Sequence, residues 1–454
     1  MYCWTPLMQK KNKMPGMPVT RLIFLFAALI MVCPGMAQTM TLDEAIALAL
    51  KNNYDIRLAK ADSLSKAVDN SYSFSVFLPN INATASKVYN TNDQLKRYAG
   101  SPDKVGNGIQ SNNLSAGINL NWTLFDGLTM FATRERLAEI QNFGALNVKN
   151  KVINTVANVS NTYYNIVQQQ QQLKAIDTTI KVNEERVKLA DKKLSVGLGA
   201  KPELLQAKVD LNASLALKLQ QQTLIVQLKE QLNQLIGEPV GAQFEVMDTI
   251  PLNLDIRLED IQKGIETSNL SLQLAKKNID ISRIALKEIR GAYYPTLGFT
   301  SNYNFLRTTN EAVVDNFTPL FNQNKGFNYG FSATIPILNR LTVRRQVQQA
   351  KLTIQYQQTV YDSTRTRVDL AILNAYQNYE YARQSLTLEE DNIVLARENL
   401  LIAVEVFKRG ASTFLDLRVA QTSFDSAYSR LIAARYNTRL AETELLRLKG
   451  QLVR

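Results

Sequence analysis

Apolar residues recur along this chain with two different periods, and the change from one period to the other marks the element boundaries. Between Leu114 and Leu124 the alternation is strict: Leu114, Ala116, Ile118, Leu120, Trp122 and Leu124 are apolar, separated by Ser115, Gly117, Asn119, Asn121 and Thr123. A period of two sends one set to each face of a strand. Ile81, Ala83 and Ala85 alternate in the same way, as do Leu297, Phe299, Tyr303 and Phe305, and then Phe327, Tyr329, Phe331, Ala333 and Ile335. Joined across polar loops near 91–113 and 307–325, these runs predict two β-hairpins, at about 79–125 and 295–337.

Elsewhere the period is helical. Ala138, Ala145, Val152, Val159, Ile166, Leu173, Ile180, Val187 and Leu194 stand seven apart without a break, as do Ile372, Tyr379, Leu386, Ile393, Leu400 and Phe407. Such a series is one seam of a coiled coil, and Ala375, Ala382, Ala396 and Ala403 beside the second seam permit close helix approach. A helix from about Thr129 to Leu194 would be roughly 100 Å long at about 1.5 Å per residue. The run Gln168 to Gln172 falls inside this register and reads as a polar helical face. At the chain's start Thr41 and Glu44 form a capping-box pattern. A helix follows and is interrupted at Asn52-Asn53, then runs on toward Phe77 until Pro79 stops it.

The chain states this order twice. Gly197, Glu203, Leu204 and Ala207 match Gly410, Asp416, Leu417 and Ala420, each 213 positions on, and Leu42, Asn53, Ile56, Ala59, Lys60 and Pro79 match Leu258, Asn269, Leu272, Ala275, Lys276 and Pro295 at 216. The expected organisation is a first repeat over 38–240, a connecting segment over 241–257 and a second repeat over 258–454. Each repeat holds a helix, a hairpin, a long helix, a glycine turn (195–201 and 408–413) and a returning helix. The fold class is therefore mainly α with two β-hairpins, in an internally duplicated chain.

Residues 1–37 read as a secretory signal: Lys10, Lys11, Lys13 and Arg21 precede the apolar run Leu22 to Cys33, and Gly35-Met36-Ala37 offers small residues for cleavage. Cys33 leaves lipidation as an alternative, although Val32 is a poor residue before a lipidated cysteine. Cleavage at Ala37 would remove both cysteines, Cys3 and Cys33, and lower the formal net charge from +12 to +8 by losing four cations. A mature chain without Cys or His has no disulfide framework, no thiolate or imidazole metal ligand and no histidine-based nucleophilic catalysis. The charge is evenly mixed rather than clustered among aromatics, which speaks against a nucleic-acid site. No phosphate loop or cofactor motif is visible either, so neither enzyme nor cofactor is expected.

After the signal no run of about 18 apolar residues could cross a bilayer as a helix. Eleven residues of strict alternation approach the 9–11 of a tilted transmembrane strand, and Tyr89, Trp122, Tyr303, Phe305, Phe327 and Tyr329 sit where aromatic girdles would. Ile118, Leu120, Trp122, Phe299, Phe327, Tyr329 and Phe331 are the expected lipid-facing set. Four strands alone would leave unpaired edges that lipid cannot satisfy, which demands an oligomer.

Taken together, the signal, the Leu42-Asp-Glu-Ala-Ile-Ala-Leu-Ala-Leu-Lys-Asn-Asn53 start, Pro79 and Pro295, the junctions Trp122-Thr-Leu-Phe-Asp-Gly127 and Ile335-Pro-Ile-Leu-Asn-Arg340, and the two glycine turns resemble the outer-membrane efflux protein family typified by TolC, over about 41–454. The second junction carries Asn339-Arg340 where that family often has glycine. The resemblance implies a homotrimer whose twelve strands close one barrel through the outer membrane of a Gram-negative bacterium, continuous with a periplasmic α-helical barrel. It implies a passive duct of a tripartite efflux or type I secretion system, working with a periplasmic adaptor (membrane fusion) protein and an inner-membrane transporter. On that basis Val196, Gly197, Leu198, Arg409, Gly410 and Ser412 are candidates for adaptor docking, and Asp191, Glu405 and Asp416 for a pore constriction. The competing reading is a non-transporting coiled-coil surface or adhesion protein, which would have no need of lipid-facing hairpins.

Overall fold

The computed structural model describes residues 39–409 and 411–452. The segment read as a signal peptide, Cys33 and Gly410 all lie outside the described residues.

A two-residue strand, β1 (Thr39–Met40), leads into α1 (Leu42–Asn52), whose start is closed by the reciprocal Thr41–Glu44 capping box. Asn53 then breaks the helix and caps the next, its side chain accepting from the Ile56 N–H at 3.1 Å and donating to the Leu235 carbonyl at 2.8 Å. Helix α2 (Tyr54–Ser71) ends in a 3₁₀ turn, Ser73–Phe77, just before Pro79. Strands β2 (Asn80–Lys96) and β3 (Lys104–Asp126) follow, then the long helix α3 (Thr129–Ser195) and its returning partner α4 (Lys201–Ile236). A short β4 (Glu245–Val246) pairs in parallel with β1.

The second pass has α5 (Leu258–Gln262), α6 (Ile265–Ser268), α7 (Leu270–Gly291), β5 (Thr296–Asn310), β6 (Phe321–Thr334), α8 (Thr342–Lys408) and α9 (Phe414–Lys449). Asn269 repeats the work of Asn53: it accepts from the Leu272 N–H and donates to the carbonyl of Leu448. Both long helices have 67 residues and are therefore about 100 Å long. None of the helices described is long and apolar enough to cross a membrane.

The helices pack as antiparallel pairs, α3 on α4 and α8 on α9, with α2 and α7 alongside the sheet-proximal ends of the long helices. One core cluster joins α1, α3 and α4 through Ala45, Ala49, Val159, Tyr163, Ile166, Leu232 and Ile236. Its counterpart joins α7, α8 and α9 through Leu272, Ile372, Tyr379, Leu445 and Leu448. In each cluster one tyrosine ties down the irregular chain that crosses the helices. The Tyr163 hydroxyl donates to the Met40 carbonyl (2.8 Å) and accepts from the Met247 N–H (3.0 Å), and that of Tyr379 donates to the Asn253 carbonyl (3.0 Å) and accepts from the Ile256 N–H (3.4 Å). A phenol can serve both roles at once while burying its ring, which suits it to pinning backbone onto packed helices.

The four long strands form one antiparallel sheet in the order β2-β3-β5-β6. They extend further than the alternation alone suggests, leaving only 97–103 and 311–320 as loops. The ladder continues although the apolar period has stopped, because its hydrogen bonds are made by backbone groups that every residue but proline carries; Ile109 and Asp315 are buried at this end of the sheet. A register shift between Thr123 and Phe125 makes Leu124 a bulge and brings Phe125 to the face it shares with its partner Leu297.

Candidate functional sites on the sheet and at the helical tip

Register assigns every strand residue to a face, since Cα partners in an antiparallel pair share one side. Ile118 pairs with Ala83 and Tyr303, Leu120 with Ile81 and Ser301, and Trp122 with Phe299. Across the next ladder Phe299 meets Phe331, Ser301 meets Tyr329 and Tyr303 meets Phe327. All seven residues of the expected lipid-facing set therefore lie on one face, and five of them, Ile118, Trp122, Phe327, Tyr329 and Phe331, are at least 40% exposed. The Phe299 and Phe331 rings lie 5.0 Å apart between centroids. At the helix end of this face the Trp122 indole N–H donates to the Phe77 carbonyl at 2.8 Å, fastening strand to 3₁₀ turn. Tyr72, Phe74, Tyr293 and Tyr294 are exposed around it, an amphipathic aromatic belt of the kind found at an interface.

The opposite face is uncharged and, apart from Val88 and Leu306, made of Asn, Ser, Thr and Gly from Asn80 to Asn90 on β2, Ser111 to Thr123 on β3, Gly298 to Thr308 on β5 and Asn322 to Ser332 on β6. One row across it is asparagine on all four strands, Asn82, Asn119, Asn302 and Asn328. Two rows further toward the loops Ser86 and Ser115 share a hydroxyl hydrogen bond of 2.8 Å.

At the far end of the long helices the chain reverses. Gly197, at φ +78°, takes the left-handed conformation that ends α3, with the Leu198 N–H on the Lys193 carbonyl at 2.9 Å and the Gly197 N–H on that of Leu194 at 3.1 Å. A Cβ on Gly197 would meet nothing, whereas one on Gly199 would fall 2.9 Å from the Leu194 nitrogen. The second turn closes alike, the Ala411 N–H reaching the Val406 carbonyl at 3.1 Å. Val196 and Leu198 are 61% and 83% exposed, Arg409 is exposed, and Ser412 is half-buried.

The three carboxylates of the suggested constriction differ in setting. Asp191 is exposed. Glu405 pairs with Lys408 at 3.0 Å, and that hydrogen-bonded ammonium holds its carboxyl below the usual range. Asp416 belongs to the cap of α9: it accepts from the Thr413 hydroxyl (2.6 Å) and the Thr413 N–H (2.9 Å), which likewise lower its pKa. The structure thus gives Asp416 a local architectural role whatever else it does.

A buried polar knot stands about two helical turns inside the tip. Arg186 of α3, 7% exposed at its side chain, pairs with Asp210 of α4 at 3.3 Å and lies 4.4 Å over the Phe414 ring of α9. Asp210 also takes Arg418 of α9 at 3.2 Å, and Asn183 and Gln421 complete the cluster. Burial pushes the Arg186 pKa down and Asp210 opposes that. Sequence reasoning passed over this knot. A charged residue close to an apolar heptad seam was the available signal, but nothing in the sequence told which helix would answer it.

These geometries can be set against known proteins. Residues 45–238 and 264–451 match the outer membrane efflux protein family. The chain belongs to that family. Outer membrane protein TolC of Salmonella enteritidis is 23% identical over 338 residues, covering 73% of this chain and 67% of that protein. Outer membrane efflux protein BepC of Brucella suis is 25% identical over 347 residues, 74% of this chain and 72% of its own. The crystal structure of the Campylobacter jejuni CmeC outer membrane channel superposes with a TM-score of 0.74 at 18% identity, covering 90% of this chain and 85% of that one. This outer membrane efflux protein is accordingly a bacterial outer-membrane channel of the TolC family, a transporter and not an enzyme.

Proposed function

We propose that three copies of this chain close a twelve-stranded barrel through the outer membrane and a helical tunnel beneath it, which passively conducts solutes delivered by an inner-membrane transporter and a periplasmic adaptor. The observation that carries this reading is the sheet: one apolar face, one uncharged polar face, and two open edges, β2 and β6. Open edges cannot stand in lipid, and since β2 and β6 run antiparallel, β6 of one copy can continue the ladder on β2 of the next. The lipid would then lie against Ile118, Leu120, Trp122, Phe299, Phe327, Tyr329 and Phe331, and the asparagine row would face the water-filled lumen.

The helices support the same assembly. On α8 a second heptad series, Tyr381, Leu388, Leu395 and Ile402, is 57–75% exposed, and on α3 Val182 and Leu189 are exposed at the same spacing, which Val196 continues at the helix cap. An apolar seam left open in the protomer is what a neighbouring helix covers. At the tip, Val196, Gly197 and Leu198 with Arg409, Gly410 and Ser412 would meet the adaptor, and Asp191 and Glu405 would draw cations to the entrance. The efflux named for BepC and the protease secretion named for PrtF of Dickeya chrysanthemi both support export as the direction of transport.

The test is assembly followed by conductance. In mild detergent the mature protein should scatter light as a trimer that heat dissociates to the protomer, and in a planar bilayer it should conduct ions without nucleotide. A stable folded monomer, or a trimer that never conducts, would overturn the reading.

A further inference from the structure

The apolar face of the sheet ends abruptly, and it ends in positive charge. Lys87 pairs with Leu114, and Leu114 with Arg307, so these two cations share one row; Lys325, opposite Phe305, stands one row below on the same face. Toward the helices every residue of this face is apolar except Ser301, whose hydroxyl donates to the Asn328 carbonyl.

Lys87, Arg307 and Lys325 are all exposed, and among the described residues none of them forms an ion pair. Each is held beside an aromatic ring: Lys87 lies 4.8 Å from the centre of Tyr89, Arg307 5.2 Å from Phe321 and Lys325 5.8 Å from Phe305. The rings steady the stems while leaving donors to spare.

Their height agrees with an interface. Leu297 and Arg307 are ten residues apart on β5; at about 3.4 Å per residue and a tilt of roughly 40°, that rise is about 26 Å, close to the roughly 25 Å apolar band of a transmembrane barrel. The first charges on this face therefore fall where hydrocarbon gives way to headgroups at the loop end.

We propose that Lys87, Arg307 and Lys325 form a binding site for the phosphate groups of lipid in the outward leaflet. The inference rests on the trimeric barrel proposed above. Lys87 lies on edge strand β2 and Lys325 on edge strand β6, so closure carries the two to opposite sides of each seam between copies. Arg307, one strand in, supplies a planar fork suited to bidentate contact with phosphate. A lipid fits better than a free anion because the cations are continuous with a surface only acyl chains can cover. An anionic head on an apolar tail satisfies both parts at once.

Lipid A retention by the purified trimer, followed by native mass spectrometry, tests this. Heat dissociation on a gel first establishes that the species is trimeric; a monomeric wild type would remove the barrel reading, whereas every later outcome bears on the lipid site alone. The wild type should retain lipid A at least tenfold better than phosphatidylcholine or dephosphorylated lipid A, and inorganic phosphate should not displace it. The triple variant Lys87→Gln, Arg307→Gln, Lys325→Gln should lose that preference while remaining trimeric. The charge-conserving variant Lys87→Arg, Arg307→Lys, Lys325→Arg should keep most of it. Equal retention by the glutamine variant, equal retention of dephosphorylated lipid, or release by inorganic phosphate would each overturn the proposal. Should the glutamine variant fail to assemble, the comparison of the two lipids on the wild type still decides.

Discussion

Gly127 and Arg340 occupy matching places, two positions before the first residues of the long helices, and both are left-handed, at φ +73° and +54°. The residues after them, Leu128 and Leu341, are left-handed as well, at +72° and +58°. In the first half glycine is obligatory, because a Cβ at 127 would lie 2.0 Å from the Gly291 carbonyl oxygen. Arg340 carries its side chain in that conformation at a cost of about 1 kcal/mol. Arg340→Gly should therefore stabilise the trimer by up to about 1 kcal/mol, read as a higher heat-dissociation temperature, whereas Gly127→Ala should lower it. That Asn339-Arg340 departs from a common glycine is legible in the sequence; the strain that comes with it is not, since an arginine gives no sign of the left-handed angle it adopts here. Asp416 illustrates the reverse, a residue singled out for its charge that proves to hold a helix start. Its carboxyl is lowered by hydrogen bonds from Thr413, so the cap is intact at neutral pH and is lost as pH falls through and below the usual carboxylate range. Amide hydrogen exchange at 415–417 should speed at pH 3 beyond its intrinsic change, and Asp416→Asn should abolish that excess.

Among the elements, the strands were the most legible and their ends the least. Alternation between 114 and 123 survives intact in the register, yet the bulge at Leu124 keeps the apolar period and so hides itself. The hairpins overrun the expected loops because backbone hydrogen bonding continues where the apolar alternation has stopped. The helical seams were read from a period of 3.5, which holds on α8 at Ile372, Tyr379 and Leu386, all buried. On α3 the buried positions near the tip are Ile180, Asn183, Arg186 and Ala190, and the expected seam position Val187 is only half-buried, because Arg186 turns inward onto Asp210 there. The face assignment can be tested directly. Ile118→Arg and Phe331→Arg should each destabilise insertion by about 2–4 kcal/mol near the midplane, while Asn119→Arg should be tolerated. Urea titration of the protein folded into vesicles measures all three, and equal losses would refute the assignment.

On the scale of the whole molecule, duplication was plain because both halves keep their spacing, and it extends to pairs not noticed in the sequence: Tyr163 and Tyr379, at the same offset of 216 as Asn53 and Asn269, do the same work. What covers the second seams of α3 and α8 was not legible, for an exposed heptad names no partner. The uncharged polar face has an electrical consequence. Asparagine, serine, threonine and glycine bear no fixed charge and do not titrate, so a lumen lined by them sets up no Donnan exclusion of either ion. In a tenfold potassium chloride gradient the barrel itself should give a cation-to-anion permeability ratio near that of free solution, unchanged between pH 5 and 8. Any selectivity measured across the full channel should then disappear when Asp191 and Glu405 are replaced by asparagine and glutamine, and persist when Asn119 and Asn302 are replaced by serine. Rectification, on the same grounds, would originate about 100 Å away from the membrane, at the length of the long helices.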